Sequence, residues 1–355
     1  MLVGGGGDDW MSGRRGDDIY HVDSANDLVF EYASEGHDTV IASATYVLQS
    51  GAAIERLSAV TGTAPINLTG NEFSQDIVGN AGSNHLIGGG GDDWFFGGAG
   101  NDFYYIDSAN DLVFEYAGQG HDTIYVSASF RLDPSAEIEV ISADSLGGTS
   151  AISLIGTDIA QELWGNMGSN YLDGKRGNDA LYGIGGDDIF AFTTALGSNN
   201  IDRVYGFGTS GDRVHLGGDI FTAISAGTLS ASAFTIGSAA TSSTHRIIYN
   251  SSNGALLYDA DGSGSGAAVQ FATLDAGMAL THNSFEVTAR TSNMGAKSSA
   301  SSEEGIPDWQ PDHQGTQAAF DAVGQGAFEA PGGEAHRLFV SAPLGAQELY
   351  LLAMI

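Results

Sequence analysis

Residues 88–96 read Gly-Gly-Gly-Gly-Asp-Asp-Trp-Phe-Phe, and residues 97–105 follow at once with Gly-Gly-Ala-Gly-Asn-Asp-Phe-Tyr-Tyr. Both nine-residue units fit the pattern G-G-x-G-x-D-x-U-x, where U is apolar. Glycines in the first half allow positive φ, so the chain can turn tightly and aim its carbonyls inward. The aspartate that closes each turn, Asp93 or Asp102, adds a hard anionic oxygen. The last three residues are aromatic or apolar and read as a short strand. Carbonyls and carboxylates without nitrogen or sulfur donors suit Ca²⁺ better than a transition metal.

Working outward, the same unit recurs in three glycine blocks. The first holds residues 4–12 and 13–21, the second 79–87, 88–96 and 97–105, and the third 165–173, 174–182 and 183–191. The leading units of the second and third blocks carry Asn84 and Asn170 where aspartate is expected, which keeps an oxygen but loses its charge. A longer period lies over the short one. Residues 20–40 (YHVDSANDLVFEYASEGHDTV) match residues 104–124 (YYIDSANDLVFEYAGQGHDTI) at all but five positions, an offset of 84 residues. Such self-similarity means one supersecondary unit stacked on copies of itself. Between blocks, residues 27–31, 38–42, 54–57, 66–68, 138–141 and 152–154 are short β-prone runs, and no stretch of ten residues has helical periodicity.

The fold expected is all-β: a right-handed parallel β-roll passing into β-helix, a solenoid over residues 1–191. Residues 192–288 read as a β-rich cap, with two strand-like segments at 201–207 and 211–216 and a meander through 246–249, 255–258 and 267–274. A solenoid needs such a cover for its open end. Residues 289–355 read as a disordered tail, polar at Ser298–Glu304 and holding four of the six prolines.

Composition narrows the function. The 355 residues include 44 acidic and 12 basic ones, a net charge of −32, with lysine only at positions 175 and 297. Such a surface repels nucleic acid and anionic membranes and needs cations to become compact. A hydrophobic content of 42% argues against disorder over most of the length, and 52 glycines without a collagen period point to a turn-dense repeat. Cysteine is absent, which excludes disulfides and thiolate chemistry. Neither a signal peptide of the Sec type nor a membrane span is visible. A start inside a repeat fits the C-terminal part of something longer. No H-E-x-x-H, G-x-S-x-G, P-loop or dinucleotide fingerprint occurs, so the expectation is a non-enzyme.

The glycine blocks, with the Tyr20–Glu31 run and its partner at Tyr104, resemble RTX (haemolysin-type) calcium-binding proteins. Residues 201–287 are similar to the C-terminal region of serralysin-like proteins exported by type I secretion. The resemblance covers roughly residues 4–288 and implies Ca²⁺ between turns stacked on one side of the roll, Gly79 over Gly97 and Gly165 over Gly183. It implies carboxylate ligands at Asp9, Asp18, Asp93, Asp102, Asp179 and Asp188, weaker positions at Asn84 and Asn170, and carbonyl donors at Gly88, Gly97, Gly174 and Gly183. Gly206 stands where the family has an acid in its first capping segment, and the chain runs past the family's usual end near Val287. The implied role is a calcium-dependent folding and secretion module of an extracellular bacterial protein, with calcium ions and the type I secretion apparatus as partners. The alternative is the C-terminal part of a secreted polysaccharide-active enzyme, or a calcium-dependent adhesin, with a glycan or an upstream catalytic domain as partner.

Beside these ligands stand several repeated residues with plainer readings. Asp8, Asp17, Asp92 and Asp187 read as solvated neighbours of the ligand aspartates. Trp10, Trp94 and Phe103 point outward by alternation and read as sheet-face packing. His37 and His121 read as turn residues, and Asp259-Ala-Asp-Gly as a hairpin turn.

Overall fold

The computed structural model describes residues 1–208 and 211–290. Short parallel strands alternate between two faces of a flattened coil. Along the second glycine block, Asp76–Val78, Trp94–Phe96 and Leu112–Phe114 pair in one sheet, while His85–Ile87, Phe103–Ile106 and Thr123–Val126 pair in another. Each nonapeptide thus supplies one turn and one strand, and two make a coil. The second sheet runs to 13 strands and the first to seven, with a further seven-stranded sheet from Phe130–Arg131 onward. Helix among the described residues is confined to two single 3₁₀ turns, Ala231–Ala233 and His282–Ser284.

The repeat's apolar U position explains why the strands stay in register. Leu68, Leu86, Tyr104 and Ile124 lie side by side on one face, and Ile77, Phe95 and Val113 on the other, all at most 1% exposed. A slip of one residue would turn this whole inward column to solvent. The outward positions stack on one another instead. Trp164, Tyr182 and Tyr205 lie in successive strands with ring centroids 3.7 and 4.5 Å apart, and Trp94 tilts over Phe114. Trp10 remains 79% exposed but leans on Phe30. Sheet-face packing therefore accounts for the outward aromatics.

The coil runs past the boundary expected at residue 191. Asp202–Tyr205 continues the large sheet beside Ala180–Tyr182, and Arg213–Leu216 pairs in parallel with Ile189–Phe192. What changes at Phe192 is the connection: the glycine turns give way to a longer loop while the strand rhythm persists. The antiparallel meander Ile247–Asn250, Ala255–Tyr258 and Val269–Thr273 follows and docks in parallel on Asp202–Tyr205. Phe285–Val287 pairs with Arg213–Leu216 in the same way. These segments thus extend both faces by main-chain hydrogen bonds. Asp259 accepts the backbone N–H groups of Asp261 and Gly262, as a hairpin-turn residue does. Beyond residue 290, the tail expected to be disordered lies outside the described residues.

Leu163 is fully buried between Ile141 and Leu181, whereas Val47 is 54% exposed. Leu163→Ala should cost about 2–5 kcal/mol and Val47→Ala no more than about 0.5 kcal/mol, read from thermal melts in saturating calcium.

Candidate metal centre

The turn-closing residues stack into ladders along both edges of the coil. One ladder runs Gln75, Asp93, Asp111; another runs Asn84, Asp102, Asp122. In each step the backbone N–H of one residue donates to a side-chain oxygen of the next, at 2.8 Å from Gln75 to Asp93 and 2.9 Å from Asp93 to Asp111. The second ladder repeats this at 2.7 and 2.8 Å. The third block does the same through Gln161, Asp179, Asp202 and through Asn170, Asp188, Asp212. One oxygen of each carboxylate therefore satisfies an N–H that the tight turn leaves without a strand partner.

In Asp111 and Asp212 the other oxygen accepts backbone N–H groups of its own turn, but elsewhere it is left over. The Oδ2 atoms of Asp9, Asp93, Asp102 and Asp179 are buried without a hydrogen-bond partner. Each sits against the first glycine of its own turn: a Cβ on Gly88 would lie 2.1 Å from Asp93 Oδ2, and one on Gly97 2.4 Å from Asp102 Oδ2. Gly174 and Gly183 stand in the same relation to Asp179 and Asp188, each at 2.2 Å. The carbonyls of these glycines face the preceding coil. Gly97 O lies 2.5 Å from where Gly79 would carry a Cβ, and Gly183 O lies 3.0 Å from that of Gly165. The stacking of Gly79 with Gly97 and of Gly165 with Gly183 is thus present. Between stacked turns the chain brings carboxylate oxygens without a hydrogen-bond partner beside glycine carbonyls, and buried acceptors in that state call for a partner such as an ion. An all-oxygen donor set of this kind fits Ca²⁺.

Electrostatics point the same way. Burial, with the neighbouring acid of the ladder adding to it, pushes Asp93, Asp102 and Asp188 up to about 7. Asp179 is raised by burial and then by the charge of Asp202. A shift of three pH units is about 4 kcal/mol per group. Two or three such groups ionised without a counter-charge would match the entire stability of a domain, ~5–15 kcal/mol.

The remaining expected positions divide. Asn84 uses both amide atoms inside the protein: Oδ1 accepts Asn80 N–H at 2.8 Å and Nδ2 donates to Ile66 O at 2.7 Å. Asn170 donates to Gly168 O and Asp188 Oδ1 but keeps Oδ1 unpartnered. Asp18 lies at the start of the coil, 3.7 Å from the amino group of Met1. Asp92 braces the next turn on its side by accepting Ser108 Oγ and Asn110 Nδ2, and Asp8 does so with Ser24 and Asn26. The His37 and His121 backbones donate to Asp17 and Asn101.

Sequence reading missed the neutral rungs Gln75 and Gln161 and the acidic rungs Asp111, Asp122, Asp202 and Asp212. A signal for the neutral rungs existed. Gly70 and Gly156 stand nine residues before Gly79 and Gly165, which makes residues 70–78 and 156–164 degenerate nonapeptides.

Gly88→Ala should displace the Asp93 carboxylate and weaken calcium binding at that turn, lowering the calcium-saturated melting temperature. Gly51→Ala, at a position where a Cβ meets nothing within 4 Å, should leave calcium affinity unchanged and lose only what its φ of +85° demands. Calorimetric titration of both variants checks this contrast.

No curated protein matches the chain. The family model of the RTX calcium-binding nonapeptide repeat matches in four copies, over residues 1–29, 69–112 and 164–192. These ranges contain the three glycine blocks, the neutral rung Gln75, and every carboxylate and carbonyl position expected to face calcium. They cover less than half of the chain. Over those residues the chain carries RTX calcium-binding repeats.

Proposed function

We propose that the protein is a calcium-dependent folding module, unfolded where calcium is scarce and folded outside the cell after export by a type I secretion system. The observation that carries this reading is the row of buried, unpartnered Oδ2 atoms at Asp9, Asp93, Asp102 and Asp179. Calcium supplies the positive charge that lets these carboxylates stay ionised while buried. The residues do the rest. The first glycine of each turn admits the second carboxylate oxygen, the ladder N–H groups fix the first, and the U-position side chains dock each rung on the core.

Two further features support a switch rather than a permanently folded scaffold. A net charge of −32 opposes compaction in the absence of cations. Fifty-two glycines raise the entropy of the unfolded chain. Extracellular calcium modules typically bind at ~10⁻⁴–10⁻³ M, far above cytosolic levels. The export route rests on the likeness of residues 201–287 to serralysin-like C-terminal regions, and secretion through a reconstituted type I system is its direct test.

Far-UV circular dichroism of the full chain should show little β-structure in chelator and a cooperative gain on titration to millimolar Ca²⁺. Equal β-content in both conditions would sink the reading. Proton binding offers an independent check. Asp93 and Asp102 rise from 3.8 to about 7 and Glu115 from 4.5 to about 8, so the folded, calcium-free chain holds more protons than the unfolded one. Its stability is then fully present below about pH 4 and is lost as pH rises through 7 to 8. Calcium-free protein should therefore gain β-structure on acidification from pH 8 to pH 5, and the calcium requirement should be steepest at the alkaline end.

A further inference from the structure

Each of the first two glycine blocks ends on a six-residue turn that is followed, one coil later on the same edge, by one of eight residues. In the second block the six-residue turn is 97–102 and the next on its edge is 115–122, Glu-Tyr-Ala-Gly-Gln-Gly-His-Asp. The longer turn lacks the G-G-x-G-x-D pattern. Glu115 takes the place one coil beyond Gly97, and Asp122 closes the turn on the Asp102 ladder at 2.8 Å. Gly120 allows the close approach, because a Cβ there would lie 1.7 Å from Gly100 O.

The result is a buried group of three carboxylates. Asp102, Glu115 and Asp122 are 0, 1 and 1% exposed, and each offers an oxygen within 4.8 Å of the others. Oxygens around one Ca²⁺ at ~2.3–2.6 Å are separated by up to about 5 Å, so the three fit a single ion. Glu115 Oε1 accepts the hydroxyl of Tyr104, a phenol that burial holds far above its ordinary range and therefore keeps as a donor. That bond aims the side chain. Glu115 Oε2 and Asp102 Oδ2 are buried with no partner at all. Both are acceptors to which no group of the protein donates.

The arrangement occurs twice. One period earlier, Asp18, Glu31 and Asp38 form the same group, Tyr20 donates to Glu31 Oε1, Gly13 N–H adds a bond at 3.0 Å, and Glu31 Oε2 is again unpartnered. We infer that Asp102, Glu115 and Asp122, and likewise Asp18, Glu31 and Asp38, each form a further Ca²⁺ site. There a glutamate side chain replaces the glycine carbonyls that a second nonapeptide would supply. These sites lie beyond those between paired nonapeptides, although they presuppose a chain that binds calcium.

The test is the number of ions bound per chain, measured by equilibrium dialysis of the full-length protein at saturating Ca²⁺. The double variant Glu31→Gln/Glu115→Gln keeps shape and removes charge. It should bind two fewer ions, one per group, with its calcium-saturated circular dichroism unchanged. An equal count in wild type and variant, with the wild type folding on calcium, overturns this inference and leaves the folding switch intact. A wild-type chain that binds no calcium overturns both. If the variant does not fold, wild-type crystals grown with terbium decide, since anomalous scattering marks the ion. A peak bonded to Asp102, Glu115 and Asp122 is expected. Peaks in the nonapeptide turns with none at this triad would overturn the inference.

Discussion

Everything in this structure depends on burying carboxylates in stacked turns. Parallel coils put equivalent residues about 4.8 Å apart, so an acid at one turn position becomes a column of acids. Like charges at that distance repel by roughly 1 kcal/mol in water and several times more near a protein surface. The chain lowers part of this repulsion by giving one oxygen of each acid a backbone N–H from the previous rung. At Asp9, Asp93, Asp102 and Asp179 the second oxygen keeps its demand. Core and cap are compatible with the coil, but they do not answer that demand, and a cation does.

The U-position column and the turn ladder are two outcomes of one nine-residue rhythm. Phe95 and Tyr104 point in because they stand two residues beyond Asp93 and Asp102, and the strand's alternation fixes the rest. Site and core therefore cannot shift independently. Moving the register by one residue would expose Phe95 and pull Asp93 away from Gly88 together.

The solenoid, its sheets and the nonapeptide aspartates were legible because each obeys a period that glycine makes visible. Legibility fell where the period was kept by other residue types. Gln75 and Gln161 hold ladder positions without a G-G-x-G preface, and Glu115 replaces a glycine outright, so neither looks like part of a repeat. Asp122 lies 20 residues after Asp102 rather than 18, and the two extra residues hide it from a strict count. The end of the coil was obscured in the same way. Loops of unequal length after Phe192 break the rhythm of the sequence while Asp202–Tyr205 and Arg213–Leu216 stay in the sheets.

The neutral rungs carry a consequence of their own. Gln75 and Asn84 open the second block, and Gln161 and Asn170 open the third, each an amide that takes neither a proton nor a charge. Gln75 and Asn84 are also satisfied by their own turns, through Asn71 and Asn80. A neutral rung doubles the separation of the acids on either side of it, Glu55 from Asp93 and Glu139 from Asp179, and so weakens their repulsion. Each amide is thus a spacer in the column of charge, while the β-scaffold runs through it unbroken and each finished coil offers the following strand an edge on which to form.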